Sequence, residues 1–200
     1  MSVLSHKRRR LLALPLAAMA MSLVVACGKK EVSFIGSDIS GTKLGQDMAM
    51  QDGNGQLRTL ADYKGKVLVV FFGFTQCPDV CPTAMAELAQ TKELLGKDAD
   101  KLQVLMISVD PERDTPEVLS AYVQAFDPSF VGLTGTPEQL SKTAKSFKAY
   151  YAKSRGATPD QYSMDHASSF YIIDKDGEAR VLVSGNASAQ DIASDIKQLL

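Results

Sequence analysis

The chain has 200 residues, of which 22 are Lys or Arg and 23 are Asp or Glu, so its formal net charge is −1. This balance, with no block of basic residues after residue 10, argues against the dense cationic face that binding to nucleic-acid phosphates requires. Three cysteines are too few for a fold stapled by several disulfides, whereas 200 residues suffice for a domain with its own hydrophobic core.

The first 26 residues have the pattern of an export signal. Residues 6–10 are basic, and the 16 residues from Leu11 to Ala26 are uncharged, fewer than the roughly 20 that a membrane-spanning helix needs. A basic start, an apolar middle and a small residue before the cleavage point are typical of secretory signals. We therefore interpret residues 1–26 as a signal peptide, with an uncleaved anchor as the alternative.

The end of this signal, Leu23-Val24-Val25-Ala26-Cys27, resembles a bacterial lipobox. In such boxes the cysteine is lipidated and becomes the first residue of the mature protein, so the resemblance implies that Cys27 carries a lipid. Ordinary cleavage that leaves a free thiol is the alternative. A lipid on Cys27 predicts a membrane lipoprotein whose domain faces the periplasm, with the inner membrane favoured over the outer. Without the signal, 18 basic residues face 23 acidic ones, a balance of −5.

Residues 27–46 begin polar and rich in Gly and Ser, and we predict that they form a tether to one domain at residues 47–200. That domain opens with a dense turn signal, Asp52-Gly53-Asn54-Gly55, between short apolar segments, which predicts a β-hairpin. Residues 67–72 are continuously apolar and rich in β-branched side chains, as in a strand buried on both faces. A loop that contains two cysteines follows this strand at once.

Helices and strands then alternate along the chain. Apolar spacing and turn signals predict helices over residues 82–95, from 116, over 137–148 and 189–200, and strands over 102–109, 130–133, 168–173 and 179–183. Thr115 followed by Pro116 is a typical helix start, and we expect Asp110 and Asp114 to cap the same helix, with a role near the cysteine loop as the alternative. The order predicts an α/β fold, a thioredoxin-like three-layer sandwich with a central mixed sheet and an N-terminal β-hairpin extension.

Cys77 and Cys81 lie where a buried strand gives way to a helix, the edge at which open α/β sheets place their sites. The exposed N–H groups and the positive dipole end of a helix favour thiolate over thiol. A spacing of four residues should bring both sulfurs to one side of the first helical turn. A disulfide that closes so small a loop would stabilise the fold very little. We therefore predict that the pair has a chemical role, as a redox pair or as a chelate for a soft metal.

Three segments now carry a family resemblance. They are Gly73-Phe74-Thr75-x-Cys77-Pro78-Asp79-Val80-Cys81-Pro82, Val109-Asp110-Pro111-x-Arg113-Asp114-Thr115 and Asp165-His166. Together they resemble the Sco/SenC family of copper proteins that serve cytochrome oxidase assembly. The resemblance implies that Cys77, Cys81 and His166 bind Cu(I) and Cu(II).

The same resemblance implies a partner, cytochrome c oxidase subunit II. Its dinuclear copper site would receive copper from this protein, or have its thiols reduced by it. A periplasmic thiol reductant or copper donor is a further candidate partner. Two positions depart from the family pattern: Gln76 stands where His is frequent, and Ala167 stands where a hydroxyl residue is common. Neither position is one of the three expected ligands.

The chemistry of the ligand set agrees with copper. Two thiolates and one imidazole are too few for the closed tetrahedral cage of structural zinc. Thiolate favours Cu(I) and imidazole suits Cu(II), so one site can hold both valences. Thioredoxins have a cis-proline that faces their cysteine pair just before the strand equivalent to residues 168–173, and this chain has Asp165-His166-Ala167 there. We therefore expect His166 to face the two sulfurs from a loop.

Several functions share these residues. A metallochaperone would bind copper and release it to an acceptor, whereas a thiol–disulfide oxidoreductase would attack with Cys77 and resolve with Cys81. A histidine in place of the cis-proline favours metal binding and leaves enzymatic activity open. A thiol peroxidase is disfavoured because Phe74 occupies the position of its hydroxyl residue. A redox or copper sensor remains an alternative, as do a passive cysteine pair and a surface histidine.

Overall fold

The structure is a computed structural model that describes residues 33–155 and 161–200. The predicted signal peptide and the predicted lipidation at Cys27 lie outside these residues. The strands are β1 (Ser37–Asp38), β2 (Met50–Gln51), β3 (Leu57–Arg58), β4 (Val67–Gly73), β5 (Leu102–Ser108), β6 (Val131–Leu133), β7 (Tyr151–Arg155), β8 (Tyr162–His166), β9 (Phe170–Ile173) and β10 (Ala179–Val183). The helices are α1 (Val80–Leu95), α2 (Pro116–Gln124), α3 (Pro137–Phe147) and α4 (Ala189–Lys197), with 3-10 turns at Leu60–Tyr63 and Gly96–Lys101.

A mixed six-stranded sheet forms the centre of the fold, in the order β1-β10-β9-β4-β5-β6. Strands β4, β5 and β6 are parallel, whereas β9 pairs antiparallel with β4 and β10 antiparallel with β9. This mixed sheet, with the helices between its strands, confirms the predicted α/β class. The hairpin of β2 and β3 is also confirmed.

The register of β4 and β5 brings the two loops at the carboxyl edge together. All seven residues of each strand are buried, as their continuous apolar runs predict. Gly73 pairs with Ser108 at the last position of both strands, and the Val109 amide donates to the Gly73 carbonyl at 2.9 Å. The cysteine loop and the loop at residues 109–115 therefore leave the sheet side by side.

The helix starts follow local capping chemistry. The Thr115 hydroxyl accepts the Val118 amide, with Pro116 in the first turn. Neither Asp110 nor Asp114 caps α2, so that expectation is wrong. Both carboxylates are buried and turned toward other partners.

The described chain joins the fold before residue 47. Strand β1 pairs antiparallel with β10 at the edge of the sheet. The amides of Ile35 and Gly36 donate to the two carboxylate oxygens of the buried Asp195 at 2.7 and 2.9 Å. Residues 33–46 are therefore part of the domain rather than of the predicted tether. A two-residue strand is too short to show any apolar alternation in the sequence.

Strands β7 and β8 form an antiparallel ribbon that the sequence did not predict. Their side chains are mostly exposed or half-buried, apart from Met164, so the apolar alternation that reveals a strand is weak. Among residues 33–155 and 161–200, no helix is both long enough and apolar enough to cross a membrane.

Candidate metal centre

The two cysteines occupy different positions at the start of α1. Cys77 precedes the helix in the loop that leaves β4, and its amide donates to the Phe74 carbonyl at 3.3 Å. Cys81 is the second residue of the helix, and its amide lies 3.4 Å from the Cys77 sulfur. The Cys77 sulfur thus accepts one of the amides that a helix start leaves unpaired. Only Cys81 lies in the first turn of the helix, whereas Cys77 precedes it. The expectation that both cysteines belong to the first turn is therefore wrong, although their sulfurs lie close together.

The cysteines also differ in exposure. Both are free thiols, with Cys81 fully buried and Cys77 half-exposed. Burial raises the pKa of the Cys81 thiol well above its ordinary value, and the nearby Cys77 sulfur and Asp114 carboxylate raise it further. A backbone hydrogen bond at Phe74 acts in the opposite direction without cancelling the shift. In the metal-free protein Cys81 is therefore a thiol at neutral pH, although its place at a helix start favours thiolate.

Gly73 has no Cβ atom, which leaves room for the Cys81 sulfur next to it. A Cβ atom at this position would lie 3.0 Å from the Cys81 sulfur, 2.8 Å from the Phe71 ring and 3.0 Å from the methyl of Met106. These are closer than ordinary van der Waals contacts. A glycine at the last position of β4 is what allows the buried sulfur to lie against the end of the strand.

His166 is the last residue of β8 rather than part of a loop. Its Nε2 lies 3.5 Å from the Cys81 sulfur, and its Nδ1 lies 3.0 Å from the Ala167 carbonyl oxygen. Because a carbonyl only accepts, this second contact is a hydrogen bond when Nδ1 carries the proton, which leaves the Nε2 lone pair directed at the sulfur. The imidazole also packs edge-on against the rings of Phe71 and Phe74, at centroid distances of 6.0 and 5.8 Å.

The structure brings Cys77, Cys81 and His166 to one place. A ligand atom from each lies within 4.8 Å of the other two. Bond lengths of about 2.0 to 2.3 Å to nitrogen and sulfur would close this group on a single ion after small side-chain movements. Two sulfurs and one imidazole make a soft donor set that suits copper. In the part of the chain that the structure describes, no other such group of three is found.

Asp114 supports the cysteine loop, the alternative to helix capping that the sequence left open. Its fully buried carboxylate accepts the Thr75 amide at 3.1 Å and the Thr75 hydroxyl at 2.6 Å. It also accepts the Ser108 hydroxyl at 2.6 Å. One acid therefore ties the loop after β4 to the end of β5. Only the parallel register of the two strands, which pairs distant parts of the chain, brings these residues together.

The other residues considered from the sequence lie around this centre. Asp79 and Asp165 are exposed, and Met164 is buried in the core. Gln76, which stands where the family often has His, accepts a hydrogen bond from Arg113 at 3.0 Å. Gln76 is therefore part of the polar surroundings of the cysteine loop.

Comparison with known proteins gives a consistent result. A family model described as SCO1/SenC matches residues 37–200. The SCO2-like protein of Rickettsia felis is 39% identical over 137 residues, which cover 68% of this chain and 67% of that protein. The mitochondrial SCO1 homolog of Homo sapiens is 36% identical over 155 residues, and the matched part spans only 52% of its length.

Solved structures resemble this fold closely. Bradyrhizobium japonicum ScoI with copper bound has a TM-score of 0.70 at 37% identity, covering 83% of this chain and 99% of that one. Apo Sco1 from Thermus thermophilus has a TM-score of 0.76 at 36% identity, covering 86% and 99%. BsSco, at a TM-score of 0.64 and 27% identity over 84% and 98%, is described as a cytochrome c oxidase assembly protein with a disulfide switch. These likenesses confirm the thioredoxin-like fold.

Proposed function

Because this chain belongs to the SCO1/SenC family, we propose that it is a copper chaperone that serves the dinuclear copper site of cytochrome c oxidase subunit II. The observation that carries the proposal is the convergence of Cys77, Cys81 and His166 within 4.8 Å. The copper-bound relative supports the choice of metal, and the assembly role described for BsSco supports the destination.

Each ligand has a distinct task in binding Cu(I) or Cu(II). Cys81 must lose its proton, because a thiolate is the metal ligand and the raised pKa keeps the buried sulfur protonated. His166 presents Nε2 while Nδ1 bonds to the Ala167 carbonyl, so the ring is already turned for coordination. Bound in this way, copper would be the cargo that the protein delivers, and it would supply a one-electron redox couple.

Release is expected to begin at Cys77. This sulfur is half-exposed, whereas Cys81 is fully buried. Three protein ligands leave an open position that an acceptor's own thiolates can enter. The acceptor would therefore replace Cys77 first and the buried ligand last.

The location of the protein is proposed from the sequence alone. The signal-like residues 1–26 and the lipobox-like segment that ends at Cys27 support an exported lipoprotein of the inner membrane, with its domain in the periplasm. The wild-type protein should then incorporate labelled fatty acid, and a Cys27→Ser variant should not. A wild-type protein without label would contradict the lipid anchor.

Thiol reduction is the second candidate function, favoured by the contrast between the two sulfurs. The half-exposed Cys77 can attack an acceptor disulfide, and Cys81, whose amide touches the Cys77 sulfur at 3.4 Å, is placed to resolve the mixed disulfide. Two electrons would pass to the acceptor, which leaves as a dithiol, while Cys77 and Cys81 become a disulfide. The switch described for BsSco supports this chemistry.

Copper titration tests the ligand assignment. The reduced wild-type domain should bind about one copper per chain, and Cu(II) should give an intense sulfur-to-copper charge-transfer band. Cys77→Ser and Cys81→Ser should lose that band, and His166→Ala should weaken Cu(II) more than Cu(I) binding. An unchanged band in Cys77→Ser would show that the ligand assignment is wrong.

Transfer experiments separate the two candidate functions. The copper-loaded protein is mixed with the soluble domain of subunit II, whose cysteines are either reduced beforehand or oxidised. A chaperone should deliver copper to the reduced acceptor. A reductase should, without copper, reduce the oxidised acceptor with matching loss of its own two thiols. Failure of both reactions would reject the proposed partner.

A further inference from the structure

The ribbon that carries His166 is not part of the main sheet. Strands β7 and β8 pair only with each other among the described strands. A two-stranded hairpin is marginally stable by itself in water. The position of His166 relative to the two sulfurs must therefore depend on contacts between this ribbon and the rest of the domain.

One side chain, Arg113, contacts the ribbon from the loop that follows β5. Its guanidinium lies over the Tyr162 ring, with the central carbon 3.8 Å from the ring centroid. Its Nη1 donates to the Tyr162 backbone carbonyl at 3.2 Å. A planar guanidinium can stack flat on an aromatic ring while its N–H groups point outward in fixed directions, a geometry that an ammonium does not offer.

Arg113 also contacts the cysteine loop. Nη1 donates to the Gln76 side-chain oxygen at 3.0 Å, and the guanidinium carbon lies 5.8 Å from the centroid of the Phe74 ring. The same Phe74 ring packs edge-on against the His166 imidazole at 5.8 Å. Arg113 therefore joins the segment that carries both cysteines to the strand that ends in the histidine.

Asp110 holds Arg113 and Tyr162 together. Its carboxylate accepts Nε of Arg113 and the hydroxyl of Tyr162, the latter at 2.7 Å. The Asp110 side chain is 3% exposed and that of Arg113 is 19% exposed. A second link from the ribbon, Lys153 to Glu112, lies at the surface, where ion pairs contribute little. The buried bridge at Arg113 is the stronger polar restraint on the ribbon.

We propose that Arg113 is a positioning residue for copper, because it fixes the His166 ribbon against the cysteine loop. The inference rests on the proposed function and names a residue that is not itself a ligand. Substitution of Arg113 should therefore weaken the binding of Cu(II), the valence that depends on the histidine. The binding of Cu(I) by the two thiolates should stay largely intact.

Affinity measurements on Arg113→Gln and Arg113→Lys test this role. The Gln variant loses both the positive charge and the planar guanidinium with its several N–H donors, whereas the Lys variant keeps only the charge. Cu(II) affinity should fall by about ten- to a hundredfold in the Gln variant, the usual effect of removing a group that orients a ligand. Lys should rescue little of that loss, and Cu(I) affinity should stay near the wild-type value.

A double-mutant cycle separates positioning from general destabilisation. In the His166→Ala background, Arg113→Gln should cause no further loss of Cu(II) affinity if it acts through the histidine. Equal additional loss in both backgrounds would overturn the proposal, as would equal loss of Cu(I) and Cu(II). The wild-type titration tests the proposed function separately, because a protein that does not bind copper would show no copper uptake before any variant is compared.

Arg180 offers a matched control. It is an arginine in β10 that pairs with Asp174 at 2.9 Å and lies over the Phe34 ring at 5.9 Å. Its neighbour Ala179 pairs with Ile173, which is level with Leu68 near the start of β4 and thus away from the cysteines. Arg180→Gln should leave both copper affinities unchanged. A Cu(II) loss equal to that of Arg113→Gln would contradict the proposal.

Hydrogen exchange in the metal-free protein gives a readout that does not depend on copper. Amides of the ribbon ladder between Tyr151 and His166 should exchange faster in Arg113→Gln, while those of β4 and β5 should not change. Tyr162→Phe, which keeps the ring and loses the bond to Asp110, should show a smaller effect of the same kind and serves if Arg113→Gln fails to fold. Wild-type exchange in the ribbon of both variants would overturn the proposal.

Discussion

Cys77 and Cys81 carry the same side chain, yet the fold gives them different surroundings. Cys81 is enclosed at the end of a buried strand, whereas Cys77 lies in a loop that solvent reaches. Nothing in the spacing of the two cysteines predicts this difference. It follows from where β4 ends and α1 begins, and it gives the two sulfurs different burial and different access.

The raised pKa of Cys81 predicts a pH dependence of stability in the reduced, metal-free protein. Because the folded protein holds the thiol proton more tightly than the unfolded chain, this contribution is complete below the unfolded thiol pKa of about 8.5. It is lost as the pH rises from there toward the higher folded pKa. Urea unfolding between about pH 7 and 10.5 should show the decline.

The two single-cysteine variants provide the comparison for this measurement. Cys81→Ala should flatten the alkaline decline, whereas Cys77→Ser should retain it. The same alkaline slope in Cys81→Ala as in the wild type would mean that the decline has another origin.

A methyl group at residue 73 should disturb the site through packing. In Gly73→Ala the new Cβ meets the Cys81 sulfur and the methyl of Met106 at 3.0 Å, and overpacking of this kind costs about 1–3 kcal/mol. We expect a lower free energy of unfolding and weaker binding of both copper valences. Gly135→Ala is the control for copper affinity: its new Cβ meets the Gln139 side chain at the start of α3 rather than a cysteine, so both copper affinities should stay at the wild-type value. Wild-type copper affinity in Gly73→Ala would contradict the role assigned to Gly73.

At the scale of elements, strands and helix starts with strong local signals are those that the sequence predicts. The apolar runs of β4 and β5 and the Thr-Pro starts of α2 and α3 are confirmed within a few residues. By contrast, β1 has two residues, and the ribbon of β7 and β8 is half-exposed. Such strands exist because of partners elsewhere in the chain, so a local pattern does not reveal them.

The candidate centre shows the same division. The family resemblance implies its three candidate ligands, which stand in short sequence motifs. For the supporting residues, the sequence favours helix capping by Asp114 over a role near the site, and it assigns no role to Arg113 beyond its place in a family motif. Their roles depend on contacts with Thr75 and Tyr162, which lie 39 and 49 positions away in the chain.

The start of α2 offers a test at this scale. Thr115→Ala removes the hydroxyl that accepts the Val118 amide and should lower the free energy of unfolding by about 1 kcal/mol. Thr115→Ser keeps the acceptor and should stay near the wild-type value. Equal stability of the Ala and Ser variants in urea unfolding would show that the cap contributes little.

At the scale of the whole molecule, Asp195 joins the first described residues to the last helix. Its two oxygens accept the amides of Ile35 and Gly36, and the side-chain amide of Gln198 donates to the Ser33 carbonyl at 2.8 Å. Strand β1 then continues along β10. The N-terminal segment is thereby attached to elements that follow it by about 150 positions in the chain.

Asp195→Ala should release this attachment. Two backbone amides would lose their acceptor, at a cost of about 1–3 kcal/mol in the free energy of unfolding. Hydrogen exchange at Ile35 and Gly36 should accelerate. The exposed Asp176, replaced by Asn, is the control and should change neither quantity. Unchanged protection at Ile35 in Asp195→Ala would show that β1 is held by other contacts.

The same attachment determines where a mechanical force would enter the domain. A pull on the chain before Ser33 acts first on the bonds to Asp195 and Gln198 and on the pairing of β1 with β10. Within the sheet, β10 and β9 separate β1 from β4, which positions the cysteines. We expect a domain pulled from its N-terminal side to lose the pairing of β1 first, while the three candidate ligands stay together.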